Sequence, residues 1–478
     1  MSRTSHQPPT TSTPMHAFRI HGGRPLRGTV AINGSKNAAL PLMAAALLSD
    51  EPVTLRGVPD LSDIRNMLKL LRSLGVTIDQ PDAHTAAMQV ADPTQTTAAY
   101  DIVRTMRAGI CVLGPLLAKR GHARVSMPGG CAIGTRPVDL HLRGLKALGA
   151  QIELDAGDIV ATAPRDSHGH QRLIGKHVFL GGPNGSTVLG TANVLSAAAL
   201  AHGTTVIECA ACEPEIEDLG RLLIAMGANI EGLGSPTLTI HGVEQLGGTE
   251  HAVIPDRIEA GTYVIAAAIS AGDVTLENYP TSMLGAFHDR LDEIGVTLEP
   301  VEGSRVEGRG SSQTNEKATN PNLNPQPSTL NPADRAAVRV LAPRRLNACH
   351  AVTQPHPGFP TDLQAQLMAL LCLADGNSMI TEKIFPDRFL HVPELQRMGA
   401  DIKRLGTNAL IHGTRELVGA PVMASDLRAS AGLVLAGLAA RGQTLINRVY
   451  HLDRGYEKME VTLQQLGADI ERVNVDSV

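Results

Sequence analysis

The segment Ile32-Asn33-Gly34-Ser35-Lys36-Asn37 runs straight into an Ala/Leu-rich stretch and so places a cation where a helix begins. Ser35 is suited to cap that helix, which puts Lys36 and Asn37 in its first turn. Exposed N–H groups and the positive end of the helix dipole favour an anion there. A solvated lysine is the alternative for Lys36 taken alone. Residues 126–140 (SMPGGCAIGTRPVDL) present Cys131 in a Pro/Gly-rich loop near Arg124 and Arg136. Neighbouring cations favour the thiolate, and such a loop is poorly suited to burying anything, so reactive chemistry is favoured over a structural cysteine.

Residues 355–364 (PHPGFPTDLQ) lead into another helix, and Thr361 or Asp362 would by default be its N-cap. The dense Pro/Gly lead-in suggests instead a carboxylate held in one position, where it could act as a base. Three further segments set an Arg beside an Asp: Asp387-Arg388, Asp426-Leu427-Arg428 and Asp453-Arg454. Local ion pairs account for any one of them. Together with Lys36, Arg107 and Arg136 they suggest a cationic cleft for a multiply anionic substrate, because guanidinium forks match phosphate and carboxylate. Two other motifs say less. Cys209-Ala-Ala-Cys212 has CxxC spacing but no second pair or nearby His pair, and reads as coincidence. Residues 181–187 (GGPNGST) lack the Lys of a P-loop, yet their N–H groups could hold a diphosphate.

The frame that must position these residues repeats six times. LRSLGVTI, LKALGAQI, LIAMGANI, LDEIGVTL, LQRMGADI and LQQLGADI place Gly75, Gly149, Gly227, Gly295, Gly399 and Gly467 after an apolar helix end and before an alternating strand. Between them recurs an Ala/Leu helix, a tight turn and a β-rich run, as at 202, 271, 375 and 441. Two such punctuations per unit predict a βαβα-type repeat. The spacings are 74, 78, 68, 104 and 68 residues. The long one contains residues 308–334, an Asn/Pro/Ser/Thr-rich tract unable to bury a core, which reads as a flexible insertion.

The 478 residues carry 42 Lys or Arg against 47 Asp or Glu, a formal charge of −5, with 43% hydrophobic residues, 2% aromatic ones and no Trp. The apolar fraction excludes wholesale disorder. Near-neutral charge and few aromatics exclude a mainly nucleic-acid-binding surface. An aromatic-poor core suggests close packing of small side chains. Six Cys without framework spacing point to a reducing, cytoplasmic setting. The first 15 residues are polar, with no apolar signal core, and read as a disordered extension. The longest apolar stretches are too short to span a membrane, so a soluble protein is expected.

SKNAALPL around Lys36, TMRAG around Arg107, MPGGCAIGTRPVDLHL around Cys131, PDRIEAGTY around Asp256, PGFPTDLQAQ around Asp362, HVPELQRMGA from His391, DLRASAGLVLAG from Asp426 and YHLDRGYE from Tyr450 resemble the UDP-N-acetylglucosamine 1-carboxyvinyltransferase family of enolpyruvyl transferases. The resemblance is colinear from about residue 18 to 472. It implies two inside-out α/β domains of three units each, strands outside and helices within, with a cleft between. One domain would span 36–254 and the other 16–35 with 255–478. The N-terminal strands, about 18–32, would complete the sixth unit.

The resemblance also implies transfer of the enolpyruvyl group of phosphoenolpyruvate to the sugar 3-hydroxyl, the first committed step of peptidoglycan synthesis, with no metal or organic cofactor. Lys36, Arg136 and Arg454 would hold the phosphate, with Asn37 beside it and Arg388 and Arg428 near the carboxylate. Arg107 and Arg136, Pro137, Val138, Asp139 and Leu140 would contact the UDP-sugar, with Ile384 lining the uridine pocket. Asp362 would assist deprotonation of the 3-hydroxyl, and Asp426 would share in proton transfer. Cys131 would be the general acid, which implies inactivation by fosfomycin. Many relatives carry a Lys at the diphosphate, where this chain has only residues 181–187; Ser186 and Thr187 would take over. Two alternatives stand beside this reading: transfer to shikimate 3-phosphate, and a non-catalytic UDP-sugar-binding paralogue. Oligomeric state is not legible.

Overall fold

The computed structural model describes residues 16–128, 138–165, 169–301 and 335–475. The expected N-terminal extension, the 308–334 insertion, and Cys131, Arg136 and Pro137 therefore lie outside the described residues. Helices come in pairs along the chain. They are α1 (Lys36–Ala45) with α2 (Ser62–Ser73), a short α3 (Tyr100–Val103), α4 (Leu113–Arg120) with α5 (Asp139–Ala147), and α6 (Val188–Ala198) with α7 (Pro214–Ala225). There follow α8 (Arg257–Ile269) with α9 (Gly285–Ile294), α10 (Gln364–Leu371) with α11 (Val392–Arg397), and α12 (Leu427–Ala439) with α13 (Met459–Gln465). The first member of each pair is buried nearly all round; every residue of α8 and α10 is buried. The second is amphipathic, as in α2, where Ile64, Met67, Leu68, Leu70 and Leu71 face inward.

All six repeat glycines adopt left-handed φ, from 81° at Gly75 to 106° at Gly227. Each ends the second helix of a pair and starts a strand, from Val76–Asp79 in the first unit to Asp469–Asn474 in the sixth. A side chain at these φ values would be strained, so the glycines set the reversal. Among the described residues, six four-stranded sheets share one order: an edge strand parallel to the strand after the buried helix, then two antiparallel strands. Strands such as Thr204–Glu208 bury alternate side chains and expose the others, so one face covers the helices.

The two N-terminal strands do not stay together, and here the expectation is corrected. His16–His21 pairs with Gln443–Asn447 and Asp469–Asn474 and completes the sixth unit. Arg27–Ala31 instead lies parallel to Asp273–Pro280 and completes the fourth. The connection between them, residues 22–26, lets one short segment supply two sheets.

The buried helices approach closely because small residues sit at their contacts. A Cβ on Gly114 would lie 2.2 Å from the Asn193 carbonyl oxygen, and one on Gly432 would lie 2.7 Å from that of Ala365. These contacts join α4 to α6 and α10 to α12, and they leave little room for aromatic rings. Two hydrophobic cores result. One is built mainly from helices α1–α7, the other from α8–α13 with Phe18, Ile20, Leu26, Val30 and Ile32.

The chain passes between the cores twice, in two segments lying side by side. Gly34 bridges Pro255, the Ser35 N–H donates to the Ile254 carbonyl at 2.7 Å, and the Asp256 N–H donates to that of Asn33 at 2.8 Å. Glu259 sits beneath, 3% exposed, accepting from the Asn33 N–H and Nδ2 at 2.8 and 3.0 Å. Burial raises its pKa to about 8, Asp256 pushes the same way, and the Asn33 donors oppose. For an acid with a raised folded pKa, stability is full below the ordinary value of 4.5 and falls as pH rises through about 8. Glu259→Gln is expected to flatten the decline of Tm across that window, read by thermal unfolding from acid to mildly alkaline pH. An unchanged profile would remove Glu259 as its source.

Candidate active site

Ser35 caps α1, accepting from the Ala38 N–H, and Lys36 opens the helix as the sequence predicts. Lys36 is not solvated; it is 8% exposed. Its Nζ lies 3.2 Å from Oδ2 of Asp63, in the first turn of α2. The other Asp63 oxygen accepts from Nε of Arg454 at 3.0 Å. One buried carboxylate thus holds two cations from opposite ends of the chain. Burial alone would raise Asp63, yet Lys36 and Arg454 bring it below the ordinary range. For Lys36, burial is the largest influence and lowers the pKa; Asp63 opposes it, and Arg428 and Arg454 add to the lowering. An ion-paired lysine would ordinarily be raised. Here desolvation and two neighbouring guanidiniums outweigh Asp63 and the smaller opposing influence of Asp362.

Asp362 lies in a 3₁₀ turn, Thr361–Leu363, ahead of α10, so it is not that helix's cap. Its Oδ1 accepts from Nη1 of Arg388 at 2.7 Å, and its Oδ2 lies 3.1 Å from both Nε and Nη2 of Arg428. The two guanidinium side chains are 6% and 3% exposed, whereas Asp362 is 26% exposed and so opens toward solvent. The Arg428 guanidinium also lies 5.5 Å from the Tyr456 ring centroid. Burial lowers the Arg428 pKa and Asp362 raises it; the net shift is upward, so this cation is permanent.

In all three Asp/Arg segments the neighbours part company. Asp387 pairs with Arg404 while Arg388 turns to Asp362. Asp453 pairs with Arg472 while Arg454 turns to Asp63. Asp426 caps α12, its Oδ1 accepting from the N–H groups of Arg428 and Ala429 at 2.9 and 3.1 Å. The local ion-pair reading therefore gives way to one in which each arginine reaches a distant carboxylate. His391, buried and facing Asp426 and Arg388, is held down to about 4 by burial and is neutral at pH 7. Asn37 is half-buried in the first turn of α1, and Ile384 is half-buried beyond the strand Asn377–Thr381.

A second group gathers in the first half of the chain. Val138 is buried, and Asp139 and Leu140 open α5. Leu140 packs on Gly182, where a Cβ would meet it at 3.0 Å. Gly182 and Gly185 bridge in a tight turn, Gly185 abuts Pro355 of the loop leading to Asp362, and Thr187 caps α6 through the Gly190 N–H. Ser186 and Thr187 are half-buried, and Lys176 is exposed ahead of the preceding strand, His177–Phe179. Arg107 opens the turn Arg107–Val112 and lies near His141, whose Nδ1 faces the Asn193 amide at 2.8 Å. Arg143, absent from the sequence-based set, donates to the Gly181 carbonyl at 2.6 Å and lies 5.7 Å from the Phe179 ring centroid.

Sequence reasoning missed Asp63, and it missed the buried Glu382, which accepts from the Thr361 hydroxyl at 2.9 Å. Only Asp63 carried a signal, as an acid in the first turn of an amphipathic helix, and that is an ordinary feature. Cys209 and Cys212 are free thiols, and no group of three or more metal-ligating side chains occurs among the described residues. No helix among them is long and apolar enough to cross a membrane.

Known proteins resemble this chain along nearly its whole length. The pattern of the EPSP synthase (3-phosphoshikimate 1-carboxyvinyltransferase) family matches residues 20–463. A UDP-N-acetylglucosamine 1-carboxyvinyltransferase of Paramagnetospirillum magneticum is 50% identical over 96% of this chain and 99% of its own. One of Methylacidiphilum infernorum is 48% identical over 96% and 99%. Among solved structures, the enolpyruvyl transferase NikO from Streptomyces tendae superposes with a TM-score of 0.80 at 24% identity, covering 97% of this chain and 100% of that one. An EPSP synthase from Acinetobacter baumannii gives 0.70 at 19% identity, covering 96% and 100%. These two establish the two-domain enolpyruvyl transferase fold, and the sequence relatives select the branch. The chain belongs to the enolpyruvyl transferase family and, within it, to the UDP-N-acetylglucosamine 1-carboxyvinyltransferases.

Proposed function

We propose that the protein moves the enolpyruvyl group of phosphoenolpyruvate onto the 3-hydroxyl of UDP-N-acetylglucosamine and releases phosphate. The observation that carries the site assignment is the meeting of Lys36, Arg454, Arg388 and Arg428 around Asp63 and Asp362. Four cations against two carboxylates leave net positive charge where a phosphate and a carboxylate must be held together. Lys36 and Arg454 suit the phosphate, with Asn37 beside them, and Arg388 and Arg428 suit the carboxylate. Asp362, with its partly exposed oxygens, is the base toward the sugar hydroxyl. Arg107, Val138, Asp139, Leu140, Ser186 and Thr187 are assigned to the nucleotide side, and Ile384 to the uridine. The two cores act as two domains, about 36–254 and 16–35 with 255–475, that close over both substrates.

The chemistry follows from this placement. A proton delivered to C3 of phosphoenolpyruvate makes C2 electrophilic, and the sugar oxygen adds as Asp362 takes its proton. The tetrahedral ketal then loses a C3 proton and phosphate, restoring the double bond. Fixed cations stabilise the departing charge without reorganising. Cys131, between the strand His122–Ser126 and α5, is the proposed acid at C3. Asp426 is the weaker candidate for proton transfer, since one of its oxygens is committed to capping α12.

Phosphate release should be fast with UDP-N-acetylglucosamine and absent with shikimate 3-phosphate. Cys131→Ser should slow it by roughly 100-fold or more, as expected for loss of a general acid. Release with the shikimate acceptor would select the sister activity. Release with neither, in a protein that still binds the UDP-sugar, would select a binding role.

A further inference from the structure

Glu382 is completely buried, and its carboxylate accepts four hydrogen bonds. Oε1 takes the Thr353 hydroxyl at 2.7 Å and the N–H groups of Ile384 and Phe385 at 2.8 and 2.9 Å. Oε2 takes the Thr361 hydroxyl at 2.9 Å. Neither Lys nor Arg pairs with it among the described residues. A fully buried carboxylate without a cation is costly and is retained only where its donors are fixed and complete.

Its position explains what is fixed. Because the Thr361 hydroxyl gives its proton to Glu382, its lone pairs are left to accept, and Nη1 of Arg388 donates to it at 2.9 Å. The same Nη1 donates to Asp362 at 2.7 Å. Glu382 also clasps the backbone at 384 and 385, the start of the segment that carries Arg388. One carboxylate therefore ties the turn that bears Asp362 to the loop that bears Arg388. The donors to Glu382 are the Thr353 and Thr361 hydroxyls and the N–H groups of Ile384 and Phe385, so it would act through the hydroxyl and the loop.

We propose that Glu382 is a positioning residue for Asp362 and Arg388, acting through the Thr361 hydroxyl. This rests on the reading of Asp362 as base and Arg388 as a ligand of the phosphoenolpyruvate carboxylate. Without the oriented hydroxyl, Arg388 keeps Asp362 but loses the second acceptor that sets its plane, and a bidentate contact suffers most from such a tilt.

The test is a steady-state comparison of Thr361→Val, Thr361→Ser and Glu382→Gln in the full chain. Thr361→Val is expected to lower kcat/KM for phosphoenolpyruvate about tenfold or more, while KM for UDP-N-acetylglucosamine stays near the parent value. Thr361→Ser, which restores the hydroxyl, is expected to recover most of the loss, and Glu382→Gln to show the same split as Thr361→Val. Should Glu382→Gln fail to fold, the Thr361 pair decides alone. Parent-like kinetics in Thr361→Val, or equal damage in Thr361→Ser, would overturn the proposal. Full activity in both Asp362→Asn and Arg388→Lys would overturn the underlying site reading, and the positioning role with it.

Discussion

Asp362→Asn is expected to lower kcat by roughly 10²–10⁴-fold, the range for losing a positioned base, with a much smaller effect on either KM. The amide keeps an oxygen that can still accept from Arg388, so the turn at Thr361–Leu363 should hold its shape. What disappears is the basic oxygen and the charge facing two buried guanidiniums. Losing a hydrogen-bonded charge partner costs about 1.5–3 kcal/mol of stability. The 26% exposure of the Asp362 side chain places the expected cost at the low end of that range. Fewer negative charges beside Arg388 and Arg428 also mean less repulsion of an incoming carboxylate, which is why KM for phosphoenolpyruvate should not rise in step with the loss of kcat. Single-turnover phosphate release on folded variant decides the matter. A kcat within about threefold of the parent would move the base elsewhere, and Asp426 would be the next residue to test.

How much of this could be read from the sequence depends on the reach of each signal. The six glycines were legible because a helix stop is local: an apolar helix end, a residue free to take left-handed φ and an alternating strand lie within eight positions. The Ser35 cap and the lysine behind it were legible for the same reason. Asp63 was not, since its partner Arg454 is 391 residues away and an acid in a helix's first turn is too common to single it out. The Asp/Arg segments pointed to a cationic cleft, but the carboxylate that each arginine reaches could not be read, because it lies elsewhere in the chain. Arg27–Ala31 illustrates the same limit in the fold. A short strand carries no mark of its sheet, and its parallel partner lies beyond 240 residues of intervening chain. Glu382 stayed hidden because a buried carboxylate satisfied by hydroxyls and N–H groups looks, in sequence, like any charged loop residue.

Asp63→Asn should have the second large effect, and its diagnostic sign is a pH profile. The Asp63 carboxylate is the principal influence opposing the burial of Lys36; without it, desolvation, Arg428 and Arg454 all push the lysine further down. Lys36 then loses its proton at lower pH, so the alkaline limb of kcat/KM for phosphoenolpyruvate should move toward neutrality. At pH 7 the loss should be roughly tenfold to 100-fold, the equivalent of about 1.4–2.7 kcal/mol in transition-state binding. Stability falls as well: the Lys36–Asp63 pair is buried, and removing one member of such a pair costs about 3–5 kcal/mol, whereas the partly exposed Arg454 can turn to water and adds little. The sign of the acid dependence follows from its lowered pKa. Its contribution is present above the ordinary value of 3.8 and lost as pH falls through the depressed one, so the variant should lack that part of the acid transition. Asp63→Glu keeps the charge and should hold the alkaline limb near its parent position even if kcat drops. An alkaline limb that stays in place in Asp63→Asn would mean that Lys36 does not supply the charge that binds phosphoenolpyruvate.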